Sequence, residues 1–183
     1  MKRYQINRVL GILLLVISSF SCSSDLNFDQ VNDLKLKPVV VANLSYFDVP
    51  ANAFVENGIE YNMAFDALDF DLFRDKYFRS YLQRADLSFE VSNTINRSFQ
   101  MGIVLMDENA QPIYTIPFDI PTYSGNAVVV KKTDVFQGLK LDLLKSAKKM
   151  GFVIAMNPGP VLSENSLGNL KLRSSATVYL TIE

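Results

Sequence analysis

The 183-residue chain has no histidine, no tryptophan and a single cysteine. Each absence removes a class of chemistry. Without histidine there is no Ser-His-Asp or Cys-His nucleophile system and no imidazole ligand for zinc or haem. One cysteine has no intramolecular partner, so no internal disulfide forms and no cysteine zinc cluster can be built. The eight glycines are scattered and make no phosphate-cradling loop. The 18 Lys and Arg against 19 Asp and Glu give no basic field for nucleic acid or anionic lipid. The composition predicts no cofactor, no resident metal and no enzyme.

What is present begins at the N-terminus. Lys2, Arg3 and Arg8 precede the apolar run from Val9 to Ile17, and Ser18, Ser19, Phe20 and Ser21 lead to Cys22. A basic start, a short apolar core and small residues before a cut site define a secretory signal. The run falls short of the roughly 20 residues that span a bilayer as a helix, and a longer span would have to include three serines. This predicts a signal peptide over residues 1–21. The placement of Cys22 directly after the apolar run resembles the lipobox of bacterial lipoproteins. Ser19 and Ser21 stand where that box usually has Leu and Gly or Ala, a relaxed pattern similar to outer-membrane and surface lipoproteins of the Bacteroidota. The resemblance covers only the first two dozen residues. It implies that the Cys22 thiol carries a diacylglycerol and begins the mature chain. Each buried acyl CH₂ contributes about 0.8 kcal/mol, so two or more chains hold a protein on a membrane.

Loss of the signal removes three of the basic residues and no acid, leaving 15 against 19 and a net charge of −4. Residues 22–38 then form a tether. Asp25, Asp29 and Asp33 alternate with Asn27 and Asn32, and Pro38 closes the stretch. Fully extended, it reaches about 50 Å at roughly 3.3 Å per residue. Leu26, Phe28, Val31, Leu34 and Leu36 are more apolar than a spacer needs. Ser23-Ser24-Asp25 loosely resembles the acidic export patch of Bacteroidota surface lipoproteins, so the periplasmic face and the cell surface both remain open.

Residues 39–183 are sized for a single domain. Period-two alternation dominates them. One face is expected to hold Val40, Ala42, Leu44 and Tyr46. Further faces are Ile59, Tyr61, Met63 and Phe65; Ala85, Leu87, Phe89 and Val91; and Phe99, Met101, Ile103 and Leu105. The last are Phe152, Ile154 and Met156, then Ala176, Val178, Leu180 and Ile182. Residues 107–112 make a hairpin loop, and the prolines at 117 and 121 place the following strand at a sheet edge. Two segments have helical spacing: 71–82, with Phe73, Tyr77 and Tyr81 on one stripe, and 133–150, capped by Thr133 or Asp134. The expected fold is a mainly β, antiparallel β-sandwich, immunoglobulin-like in architecture, with two short helical insertions.

Three patterns invite an enzymatic reading, and each has a plainer one. Ser146-Ala147-Lys148-Lys149 matches S-x-x-K but lacks the companion motifs of serine penicillin-binding enzymes. Asp66, Asp69, Asp71 and Asp75 lack EF-hand spacing and suit the acidic first turn of a helix. Asp107 and Glu108 belong to a hairpin loop. The aromatic segment with Phe73, Tyr77, Phe78, Arg79 and Tyr81 is the candidate partner-binding patch, since exposed Tyr, Phe and Arg anchor interfaces. Its plain reading is a helix capping one end of the sandwich. The expectation is a non-enzymatic lipoprotein, held on the outer membrane through acyl chains on Cys22, serving as an accessory or scaffold for another envelope protein. The alternative is a surface ligand- or glycan-binding lipoprotein, disfavoured by the missing tryptophan.

Overall fold

The computed structural model describes residues 35–70 and 75–182. The signal segment, Cys22, the tether through Leu34, and residues 71–74 lie outside them, as does Glu183.

The described residues form ten strands: β1 (Val39–Pro50), β2 (Val55–Glu56), β3 (Ile59–Glu60), β4 (Met63–Asp69), β5 (Leu82–Asn93), β6 (Phe99–Met106), β7 (Pro112–Ile120), β8 (Val128–Phe136), β9 (Lys149–Met156) and β10 (Asn169–Leu180). Helix α1 (Lys76–Tyr81) precedes β5, and α2 (Leu139–Ser146) joins β8 to β9. Eight strands make two antiparallel four-stranded sheets, ordered β1-β10-β5-β8 and β4-β9-β6-β7, while β2 and β3 form a small separate hairpin. The expected mainly β sandwich with two helices is therefore what the chain builds.

The strand order adds a detail that periodicity does not carry. β1 pairs with β10, β4 with β9, β5 with β8 and β6 with β7. The chain is one long hairpin with its tip at residues 107–111, rolled so that successive levels fall in alternate sheets. This is the jelly-roll way of closing a double sheet, not the immunoglobulin order of strands.

The core lies between the sheets. Ala85, Leu87, Phe89 and Val91 of β5 face Phe99, Met101, Ile103 and Leu105 of β6, and all eight are buried. Ring pairs bridge the layers, with Phe47 edge-on to Phe152 and Phe89 edge-on to Phe118. Burying each such side chain contributes about 1.5–3 kcal/mol, which is the main stabilisation of a sandwich this size. The prolines act as expected, since β7 is an edge strand carrying Pro117.

Three expectations change. First, β1 does not keep one inward face. A bulge between Asn43 and Tyr46 sets two residues of β1 against Ser174. Beyond it Phe47 and Val49 turn inward, and Tyr46 turns outward at 60 % exposure. The Ser174 hydroxyl accepts from the Ser45 N–H and donates to the Ser45 carbonyl, both at 2.9 Å, so the bulge's backbone is satisfied. Second, β4 faces the other way. Ala64, Asp66 and Leu68 pair with the inward β9 residues Ile154, Phe152 and Met150, which leaves Met63 and Phe65 outside. Third, the long helix over 133–150 is not formed. Val128–Phe136 continues as a strand paired along β5, so Thr133, Asp134 and Phe136 belong to β8. Gly138, at φ +56°, breaks the chain direction before α2, and no side chain caps that helix. Leu141 and Leu144 are buried, whereas Leu139 is 87 % exposed.

The first described residues already belong to the sheet. Leu36 and Ile182 exchange backbone hydrogen bonds of 3.0 and 2.9 Å, and Leu180 N–H donates to Pro38 C=O at 3.1 Å. The last part of the 22–38 stretch thus runs as an extended lead-in to β1.

Candidate functional site

A solvent-facing antiparallel sheet ordinarily alternates apolar inside with polar outside. The central rows of the first sheet obey this: read across β1, β10, β5 and β8 they are Asn43–Ser175–Ser88–Thr133 and Tyr46–Arg173–Glu90–Lys131, while Val39, Val41 and Val129 nearer the ends of the same face are exposed. The second sheet does not. Its outward rows, read across β4, β9, β6 and β7, are Phe65–Val153–Gly102–Pro117 and Ala67–Gly151–Val104–Thr115. At one end the next row begins with Met63 and Ala155 and finishes in the polar Gln100 and Asp119; at the other end Met106 is buried. Neither central row carries a charge.

The apolar face has relief. Gly151 leaves a gap in which the Met106 methyl and the Phe65 ring meet; an added Cβ would stand 2.7 Å from the Met106 methyl and 3.1 Å from the ring. Phe65 lies across that gap yet stays 62 % exposed, and Met63 beside it is 68 % exposed. Around the corner, the open edge between β1 and β4 holds a groove of about 240 Å³ lined by Phe47, Val49, Phe65, Leu68, Phe152 and Ile154. Both strands bordering it are blunted against strand addition. β1 carries the bulge, and β4 points Asp66 into the groove, two recognised devices against edge pairing. The surface is suited to side-chain docking on its face.

The opposite edge, between β7 and β8, is closed. Tyr114 stacks edge-on to Phe136, and its hydroxyl donates to Asp134 at 2.9 Å. Lys140 pairs with Asp134 and lies 4.7 Å from both ring centres. Burial lowers the Lys140 pKa, but its hydrogen bonds with Asp134 and Tyr114 outweigh that effect and raise it above the ordinary lysine value. The arrangement fastens α2 onto the sandwich.

The residues singled out from the sequence fall elsewhere. Phe73 and Asp71 lie outside the described residues. Tyr77 lies on α1. Phe78 and Tyr81 are partly buried against the core, and the Arg79 guanidinium donates to the Lys145 carbonyl at 3.4 Å. Phe78 and Tyr81 seat α1 on the core, and Arg79 ties it to the last turn of α2. Asp75 is a cap, accepting from the Phe78 N–H at 3.0 Å. Ser146 ends α2 and donates its hydroxyl to Leu143 C=O at 2.8 Å, whereas Lys149 starts β9, so the S-x-x-K residues do not lie on one helix. Asp107 organises its hairpin, accepting from Asn109 and Gln111 N–H. Among the described residues no three Asp, Glu, His or Cys side chains are placed to hold a metal ion. No described helix is long and apolar enough to cross a membrane.

The sequence signal for the apolar face was available. Past Gln100 in β6 and Lys149 in β9, the alternate positions 102, 104 and 106 and 151, 153 and 155 carry no polar residue. A strand apolar at both periods implies cover on both faces.

No family model matches the chain, and no curated protein matches its sequence. Similar solved structures include a protein designated as secreted from Parabacteroides distasonis, with a TM-score of 0.44 and 16 % identity over 63 % of this chain and 37 % of that one. The VP2 subviral particle of infectious bursal disease virus has a TM-score of 0.44 and 9 % identity over 79 % of this chain and 32 % of that one. Cocksfoot mottle virus has a TM-score of 0.29 and 13 % identity over 81 % and 85 %. The chain thus spans about a third of the first two structures' length, and likeness at this level bears on no site or activity.

Proposed function

We propose that this is an exported, lipid-anchored accessory protein that binds another envelope protein through the outer face of its second sheet. The single observation supporting the reading is the contrast between the central rows of the two outer faces, one hydroxylated and charged, the other without a charge and with Phe65, beside Met63, exposed. Covering each of those two side chains would contribute about 1.5–3 kcal/mol to association, the scale of an interface anchor. Glycine and valine rows around them give a smooth floor for a partner's side chains. The aromatic helix is a weaker candidate, because Phe78 and Tyr81 are spent on the core. The signal-like start and Cys22 supply the anchor in this reading, through acyl chains on the membrane.

Two experiments test it. A photo-crosslinking residue at Met63, Phe65 or Val153 is expected to capture one envelope protein in intact cells. The same residue at Glu90 or Thr133, on the other sheet, is expected not to. Equal capture from both faces, or none from either, would overturn the assignment. Cys22→Ser is expected to move the protein from the membrane pellet to the soluble fraction, and retention in the pellet would count against the anchor.

A further inference from the structure

The outer face of the first sheet has its own relief. Asn43, Ser175, Ser88 and Thr133 follow one another across four paired strands, and all four side chains are short. At interstrand spacings near 4.8 Å the row is about 15 Å long. The row beside it is taller, with Tyr46, Arg173, Glu90 and Lys131 in register. A short row beside a tall one makes a shallow furrow, and its central section is an open depression of about 380 Å³.

The chemistry of the furrow is specific. Ser88 and Thr133 hydroxyls lie 3.0 Å apart and share one hydrogen bond, which leaves each with capacity to donate or accept again. Asn43 adds an amide at one end. The wall is cationic on balance. Lys131 is paired with Glu90 at 2.8 Å. Among the described residues Arg173 makes no hydrogen bond or ion pair, although it lies near enough to Glu90 and Lys171 to influence both. Its guanidinium offers a donor fork to an incoming carboxylate. Tyr46 is turned outward by the bulge and presents an exposed ring where the wall meets β1.

We infer that this furrow is a binding site for an acidic oligosaccharide. Neutral groups that both donate and accept line the floor, as sugar hydroxyls require. The Arg173 guanidinium, beside Glu90, stands on the wall for a carboxylate, and a tyrosine ring stands at the end for the apolar face of a pyranose. The floor presents the hydroxyl and amide groups of Asn43, Ser175, Ser88 and Thr133. Its backbone is already paired on both sides along β10 and β5, so no peptide strand can add there. The site is on the opposite face from the protein-docking surface and does not depend on it.

The test is calorimetric titration of the full chain in detergent with tetragalacturonate, a hyaluronan tetrasaccharide, maltotetraose and inorganic phosphate. At least one acidic tetrasaccharide is expected to bind, with maltotetraose weaker by about tenfold or more, the loss expected for one charge-assisted contact. Ser175→Phe fills the furrow and is expected to abolish binding. Arg173→Gln is expected to weaken the acidic sugar about tenfold while leaving the thermal midpoint unchanged. Phe65→Asp, on the other face, is expected to leave sugar binding intact. Failure of both acidic tetrasaccharides to bind would overturn the inference. So would binding that survives Ser175→Phe or Arg173→Gln, or phosphate binding as tightly as the sugars.

Discussion

Among the described residues Arg97 is the one charged side chain buried almost completely, at 3 % exposure, and it lies in the connection between β5 and β6. Its Nη1 donates to Glu60 at 2.8 Å, to Pro160 C=O at 2.7 Å and to Gly159 C=O at 3.4 Å; its Nε donates to Asn157 C=O at 3.0 Å. Glu60 also accepts from the Leu162 N–H at 3.0 Å. One guanidinium thus ties the β2–β3 hairpin to the loop between β9 and β10. Arg97→Met keeps the bulk and removes every donor. Breaking a buried ion pair by removing one partner costs about 3–5 kcal/mol, because the other charge and its carbonyl neighbours stay behind. Glu60 retains 21 % side-chain exposure and can reach water, which places the expected loss near the lower end, at about 3 kcal/mol. Against a typical domain stability of about 5–15 kcal/mol this is a large fraction. Urea denaturation of wild type, Arg97→Met, Glu60→Gln and the double variant would measure it. The double variant is expected to lose less than the sum of the singles by about 1 kcal/mol or more. A loss below about 1 kcal/mol in Arg97→Met, or simple additivity, would refute the clamp.

Gly168 has φ +106°, and an added Cβ would stand 2.3 Å from the Thr94 carbonyl oxygen. Strain and backbone collision act together there, so Gly168→Ala is expected to lose about 3 kcal/mol or more in the same denaturation assay. Hydrogen bonds from Lys171 and Asn169 hold the Asp48 carboxyl below the ordinary aspartate value, and Lys131 does the same for Glu90. A lowered folded pKa gives stability that is present above the unfolded value and lost as pH falls through the folded one. The thermal midpoint is therefore expected to drop on acidification below about pH 4, and Asp48→Asn is expected to flatten that drop; a variant as acid-sensitive as wild type would exclude Asp48 as a source.

The strands most legible in the sequence are those with one buried and one polar face. β5 is the clearest, because Asp86, Ser88, Glu90 and Ser92 alternate with four buried apolar residues. β4 misleads because its outward set, Met63 and Phe65, is more apolar than its inward set of Ala64, Asp66 and Leu68. Hydrophobic pattern assigns the larger side chains inward, and here the fold does not. The 133–150 segment misleads for another reason. Phe136, Leu139 and Leu143 fit a helical spacing by coincidence, while the turn at Gly138 depends on a backbone conformation. The apolar face and the furrow depend on register between strands up to 132 positions apart, such as Asn43 against Ser175. No local window contains such pairs. Chemistry-bearing residues were visible one by one, but which of them stand side by side was not.

The rolled hairpin has a consequence for the order in which the protein can acquire its shape. β10 is the last strand, yet it sits between β1 and β5 and is the partner through which β1 joins its sheet. Pairings this distant along the chain form slowly, since long loops must close before any contact stabilises them. Until β10 docks, β1 has no partner in its sheet, so that sheet is completed only by the most distant pairing among the described strands.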